Sequence, residues 1–301
     1  MTATEIVDAH HHLWHLGGSL RYPWLQGEPI SFRYGDYASL KRDYLPDDYR
    51  RDTARWKVVA SVHMEAEAAR DQEVAETRWI HEVAERHGFP NAVIGHARFE
   101  RDDVEAVLRG HAAYPLMRAI RQKPTAARSA AEIAPGAPGS MGDPVWRRGY
   151  ALLAKYGLHF ELQTPWWHLG EAAALARAFP EIRIVLNHTG LPSDRSSDGL
   201  AGWRAAMAEF AAEPNARVKI SGIGLPSQPW TVADNAPVVR TAIELFGVER
   251  AFFASNFPVD GVCADFDTIY GGFQAITADL PEADRRLLFR DNALREYRVA
   301  L

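Results

Sequence analysis

The chain has 301 residues, 47% hydrophobic and 24% charged, the composition of a globular protein with a sizeable core. Its formal charge of −5 gives no electrostatic reason to expect nucleic acid or an anionic membrane as partner. A single cysteine, Cys263, excludes an internal disulfide and every thiolate-rich zinc or iron–sulfur site, so any metal must be held by His, Asp, Glu or water.

The first element is Ile6–His12, a β-branched, apolar entry that ends in Asp8-Ala9-His10-His11-His12. Alternation along a strand predicts that His10 and His12 point the same way with Asp8 on their side. Two imidazoles on one face at the end of a buried strand are half of a divalent-metal site. The next stretch, 13–49, is long and aromatic, with Trp14, Tyr22, Trp24, Phe32, Tyr34, Tyr37 and Tyr44. It is either a lid folded onto the molecule or part of an inter-subunit contact in a homo-oligomer.

Strand-like runs continue at Val58–Glu65, Ala92–Arg98, Leu116–Arg121, His159–Gln163, Ile182–Asn187, Val218–Ser221 and Ala251–Ser255. Most are short, continuous and apolar, as expected of parallel strands covered on both faces. Helix-like segments lie between them, at Asp71–His87, Pro144–Tyr156, Glu171–Phe179, Gly202–Glu213 and Val232–Phe246. Gly88, Gly157 and Gly247 stand where three of these helices should stop. Eight strands alternating with helices predict a (β/α)8 TIM barrel, a single domain over 1–301, with long βα loops at about 13–49, 124–144 and 191–200. An open doubly wound sheet is the alternative. No Gly-rich phosphate fingerprint follows the first strand, which counts against a dinucleotide-binding fold. No signal-peptide core or bilayer-length apolar run is present, so a cytoplasmic location with no membrane partner is the default expectation.

In a barrel, polar residues at the C-terminal ends of strands converge on one pocket. Here they are His10 and His12, His63 and Glu65, Arg98, Arg121, Glu161 and Gln163, His188, Lys219 and Ser221, and Asn256. Each has a bland reading alone: His63 as a core histidine, Glu161 as partner of a neighbouring donor, Lys219 as a salt bridge on the barrel floor. The recurrence is what points to a site for a small-molecule substrate.

The run Asp8-Ala9-His10-His11-His12-Leu13-Trp14 resembles the opening of the amidohydrolase-2 family of the amidohydrolase superfamily. Further matches, in the family's order, are Arg118–Gln122, Ile184–Gly190, Val218–Gly222 and Ala254–Val259. The resemblance implies a distorted (β/α)8 barrel and, in its lactonase-like branch, hydrolysis of sugar-acid lactones or lactones from aromatic-ring degradation. More distant members are decarboxylases and hydratases. His10 and His12 match the first-strand pair that holds a divalent cation in metal-bearing members. His188 matches the sixth-strand histidine, a metal ligand or a group touching the substrate carbonyl. Asn256 departs from the pattern, since the family usually places there an Asp that contacts metal and serves as general base. An amide neither takes a proton at neutral pH nor adds negative charge. Either the metal, one zinc or manganese ion, is weak or absent, or another carboxylate has taken over, with Asp260 and Glu65 as candidates. The family's ligating Lys on strand four has no counterpart, so a binuclear centre is not expected.

The resulting expectation is a hydrolase that opens a small, carboxylate-bearing lactone by attack of water on a polarised carbonyl. The cation, or else a protonated imidazole or Arg, would stabilise the developing oxyanion. Arg121 and Arg98 suit a bidentate grip on a substrate carboxylate, and Trp166 and Trp167 either wall the substrate ring or simply pack. Two alternatives are a decarboxylase or hydratase of the same superfamily, and a catalytically impaired barrel that only binds.

Overall fold

The computed structural model describes residues 4–301. Eight strands, β1 (Glu5–His11), β2 (Lys57–Met64), β3 (Ala92–His96), β4 (Met117–Gln122), β5 (His159–Leu162), β6 (Ile184–Leu186), β7 (Ala216–Ile220) and β8 (Ala251–Phe253), form one sheet in sequence order. Every pairing is parallel. The sheet curls until its edges meet. At the seam the Asn256 amide donates to the His10 carbonyl and the His12 amide to the Phe257 carbonyl, each at 2.7 Å. The Asp8 carboxylate spans the rest, accepting from the Ser255 amide at 2.8 Å and the Ser255 hydroxyl at 2.7 Å. The molecule is therefore a (β/α)8 barrel, as the strand–helix rhythm predicts.

That use of Asp8 corrects the alternation argument. Val7 and Ala9 pack with Val62, Ile94 and Phe252 inside the barrel. Asp8 faces the helical shell, where Tyr49 donates to it at 2.9 Å and Tyr270 at 3.5 Å. The β1–β2 register slips between Asp8 and His11. A slip of this kind flips every later side chain to the other face, which turns His10 inward and leaves Asp8 outside. Asp8 closes the barrel and does not share a face with the histidine pair.

Local chemistry sets the helices. Asp143 caps Pro144–Lys155 by accepting from Val145 N, with Pro at the start, and Thr231 caps Val232–Phe246 by accepting from Asp234 N. Gly88, Gly157 and Gly247 all adopt positive φ, of 78°, 61° and 73°, as the expected helix stops require. One boundary moves. Ser196 caps a helix spanning Ser197–Ala211, so the second half of the expected 191–200 loop is helical. Among the described residues no helix is long and apolar enough to cross a membrane.

The long first loop lies on its own barrel. Trp14 and Tyr44 exchange backbone hydrogen bonds at 3.0 Å, which pins the loop's two ends together. Tyr22, Tyr34, Tyr37 and Tyr44 are buried, and the Trp24 indole donates to the Ala66 carbonyl at 2.9 Å. The loop is thus folded down onto its own barrel as a lid.

Candidate active site

The lid, the ends of β1, β4, β5 and β8, and the turn after β6 enclose a cavity of about 180 Å³. Its walls include His12, Trp24, Phe32, Arg33, Glu67, Arg121, Lys123, Gln163, His188 and Asn256. The volume is below the roughly 300–1,000 Å³ of sites for drug-sized ligands, so it suits a small molecule. Three of these residues, Glu67, His188 and Asn256, hold φ of 59°, 55° and 57°. Such strain in non-glycine residues costs about 1–3 kcal/mol each and concentrates at functional sites.

The histidine pair is fixed from behind. The Asn187 amide nitrogen donates to Glu161 Oε2 at 3.1 Å, so its oxygen faces His10 Nδ1 at 3.0 Å and must accept from it. His12 Nδ1 lies 3.0 Å from the Met64 carbonyl and 3.1 Å from the Glu65 carbonyl, so it too is a donor. Both rings therefore carry their proton on Nδ1. Their Nε2 atoms face one another at 3.2 Å, lone pair to lone pair. Burial pushes both imidazoles well below their ordinary range, so neither brings a second proton at neutral pH. Asn256 adds a third acceptor: its nitrogen donates to Asp260 Oδ1 at 2.6 Å, which leaves Oδ1 aimed at His12 Nε2, 3.4 Å away.

Three converging lone pairs with no proton among them are a donor set for a cation. Adjacent nitrogen ligands of a tetrahedral zinc stand about 3.3 Å apart, given Zn–N bonds of about 2.0–2.1 Å, and the observed separation matches. The residues fit a single divalent cation held by two neutral nitrogens and a neutral oxygen, a weaker set than one with a carboxylate. Among the described residues no group of three or more His, Cys, Asp or Glu is arranged to hold a metal.

The carboxylates considered as bases are both occupied. Glu65 Oε1 pairs with Arg121 Nε at 2.5 Å, and its Oε2 accepts from the Glu67 amide at 2.7 Å. Burial would raise this carboxyl, but the Arg121 guanidinium holds it well below the usual carboxylate range. Asp260 accepts from Asn256, from the Tyr34 hydroxyl at 2.8 Å and from the Gly222 amide at 3.0 Å. It sits behind Asn256 and aims that side chain. Burial raises its carboxyl above the ordinary value.

His188 is placed differently from the other two histidines. It lines the cavity, its Nδ1 is 2.9 Å from the Ser221 hydroxyl, and its ring centroid is 4.8 Å from that of His10. Gly222 makes room for it: at φ 61° a Cβ there would stand 2.4 Å from His188 Nδ1. Burial keeps the imidazole well below its ordinary range, hence neutral.

The structure gathers His10, His12, His188, Asn256, Arg121 and Gln163 at one mouth, with Glu65 and Asp260 just behind. It does not bring in the others. His63 faces outward beside His11, its Nε2 3.4 Å from the Leu13 carbonyl. Arg98 is half-exposed and pairs with Glu100. Trp167 donates to the Ala127 carbonyl at 3.0 Å, and Trp166 packs beside Gly190 and Gly202. Sequence reasoning missed Arg33, Glu67 and Lys123. Lys123, one residue past the end of β4, follows Arg121 by two, a signal that period-2 reading offers. Arg33 had no signal beyond being a cation among lid aromatics.

Known proteins of similar sequence and fold point to one family. A protein from Sinorhizobium fredii, described as uncharacterized protein y4mH, is 39% identical over 99% of this chain and 100% of its own. An L-fucono-1,5-lactonase from Burkholderia ambifaria is 28% identical over 97% of this chain and 95% of its own. The crystal structure of an amidohydrolase from Burkholderia multivorans with bound zinc superposes with a TM-score of 0.78 at 25% identity, covering 98% of this chain and 99% of that one. The Amidohydrolase family model matches residues 7–299, and the chain belongs to that family.

Proposed function

We propose that this protein hydrolyses a small, carboxylate-bearing lactone. The observation that carries the reading is the split character of the cavity. Acceptors (His10, His12 and Asn256) converge on one side, cations stand on the others, and one neutral imidazole, His188, is hydrogen-bonded to Ser221 and not to the histidine pair. Lactonase relatives at modest identity support the same reaction class. His10 and His12 would hold one divalent cation, zinc or manganese, and when bound that ion polarises the carbonyl and acidifies water.

The chain's own residues supply the rest. Asn256 Oδ1, aimed by Asp260, would complete the cation's donor set beside His10 and His12. Water oxygen bonds to the carbonyl carbon, and the ring C–O bond breaks. His188 takes the proton released by the water and returns it to the departing ring oxygen, giving an open-chain hydroxy acid. The His188 nitrogen that Ser221 leaves unengaged is the one positioned for both halves of that transfer. Trp24 and Phe32, stacked at 11° with centroids 6.1 Å apart, give the lid an apolar wall against the ring and exclude bulk water.

The test is a lactone panel followed by acid release, beside a carboxylic-acid panel followed by CO2 release. Acid from lactones alone is expected. For His188→Asn, kcat should fall about 10²–10⁴-fold while metal content per chain stays at the wild-type level. CO2 without lactone opening would overturn the reading in favour of a decarboxylase. A His188→Asn variant with wild-type kcat would remove His188 from the proton path.

A further inference from the structure

Three cationic side chains line the cavity, and they are not equivalent. Arg121 is spent on Glu65: its Nε meets Oε1, its Nη2 donates to the Glu65 carbonyl at 2.9 Å, and its Nη1 reaches Gln163 Oε1 at 3.4 Å. Lys123 is paired with Glu67. Arg33, carried by the lid, is the exception. Its Nη1 is buried without a hydrogen-bond partner. Its Nη2 reaches only Asp260 Oδ1, at 3.5 Å, an oxygen already taken by Asn256 and Tyr34. The guanidinium lies 4.5 Å from the Tyr34 ring centroid, which holds the fork in place without using its donors.

Position adds to this. A Cβ on Gly222 would stand 2.8 Å from Arg33 Nη2 as well as 2.4 Å from His188 Nδ1. Arg33 and His188 therefore meet over the same glycine, which places the guanidinium, through Nη2, on the His188 side of the cavity. A buried N–H without an acceptor is destabilising, and the cost is recovered when a ligand supplies that acceptor. A planar fork with free donors fits a carboxylate better than a hydroxyl or carbonyl.

We propose that Arg33 is the specificity-determining receptor for a carboxylate on the lactone substrate. This rests on the lactonase reading and replaces Arg121 and Arg98 in that role. Because Arg33 belongs to the lid, an acidic substrate holds the lid down as it binds, and a neutral lactone of the same ring does not.

The experiment compares a six-membered lactone bearing a ring carboxylate with its primary amide, using wild type, Arg33→Met and Arg33→Lys. Thermal melting establishes that each variant is folded. Wild type should prefer the acid. Arg33→Met should shrink the acid-to-amide ratio of kcat/KM by on the order of 30-fold or more, mainly through KM, with Arg33→Lys intermediate. An equal fall on both substrates, or a loss confined to kcat, would overturn the proposal and make Arg33 a catalytic or structural group. Binding of glutarate against glutaramide, by calorimetry, separates the two readings. If no lactone is opened, the lactonase reading falls. Arg33 is then upheld by a glutarate affinity that collapses in Arg33→Met, and overturned by one that does not change.

Discussion

The barrel interior holds two sets of buried polar groups, one at the mouth and one beneath it, and they are built on opposite principles. Beneath the cavity, Lys219 is fully buried and donates to Glu161 Oε2 at 3.0 Å. The Tyr297 hydroxyl donates to Glu161 Oε1 at 2.6 Å, and the Asn187 amide completes the carboxylate's shell. Burial would raise the Glu161 carboxyl, but Lys219 beside it keeps it below its ordinary value. At the mouth, acceptors face acceptors and Arg33 Nη1 faces nothing. Satisfied groups hold the fold, whereas unsatisfied ones wait for a cation, a water or a substrate. Asn187 joins the two, since the Glu161 shell sets the proton position on His10.

The contrast breaks most visibly at Lys219. Lys219→Met leaves Glu161 as a buried charge without its counter-ion, and should cost about 3–5 kcal/mol of stability by urea denaturation. An exchange at the mouth that cost more would reverse the ranking of the two regions.

Asn256→Asp sharpens it from the other side. A second carboxylate would face Asp260 across the 2.6 Å contact, and the protein without metal should lose about 1–3 kcal/mol. An anionic oxygen is also a better ligand for a divalent cation. Elemental analysis after graded chelation should then show tighter retention of zinc or manganese than in wild type. His10→Ala should abolish it. Retention unaffected by either change would place the cation elsewhere.

The third effect is on pH dependence. Glu76 supports the mouth through the Ala66 amide, which donates to it at 2.8 Å. Burial, then the nearby Glu65 charge, push its carboxyl up to about 8. The folded protein keeps this proton where the unfolded chain, with an ordinary value of 4.5, has lost it. Stability should therefore fall as pH rises from about 4.5 to about 8. Glu76→Gln should flatten that slope. An unchanged slope would assign the pH response to other groups.

Much of this architecture was legible in the chain. Continuous apolar runs ending in polar residues mark parallel strands whose C-terminal ends face a shared cavity. That pattern places His10, His12, Arg121, Gln163, His188 and Asn256 together. It failed for His63 and Arg98 because a strand end offers two faces, and which one points inward depends on register. Trp166 and Trp167 illustrate the same limit, since aromatic runs look alike whether they line a pocket or pin a neighbouring loop.

The sequence by itself determined the strand–helix rhythm, the helix stops at Gly88, Gly157 and Gly247, and a neutral amide, Asn256, just past the last strand. These are local properties, fixed by side-chain periodicity, by backbone freedom and by the chemistry of one residue. Only the tertiary structure decided that Asp8 closes the seam, that Glu65 and Arg121 neutralise one another, and that Arg33 keeps a free donor. Each of those outcomes depends on contacts between residues far apart in the chain. Register slips and ion pairing across strands select them, and no local pattern encodes them.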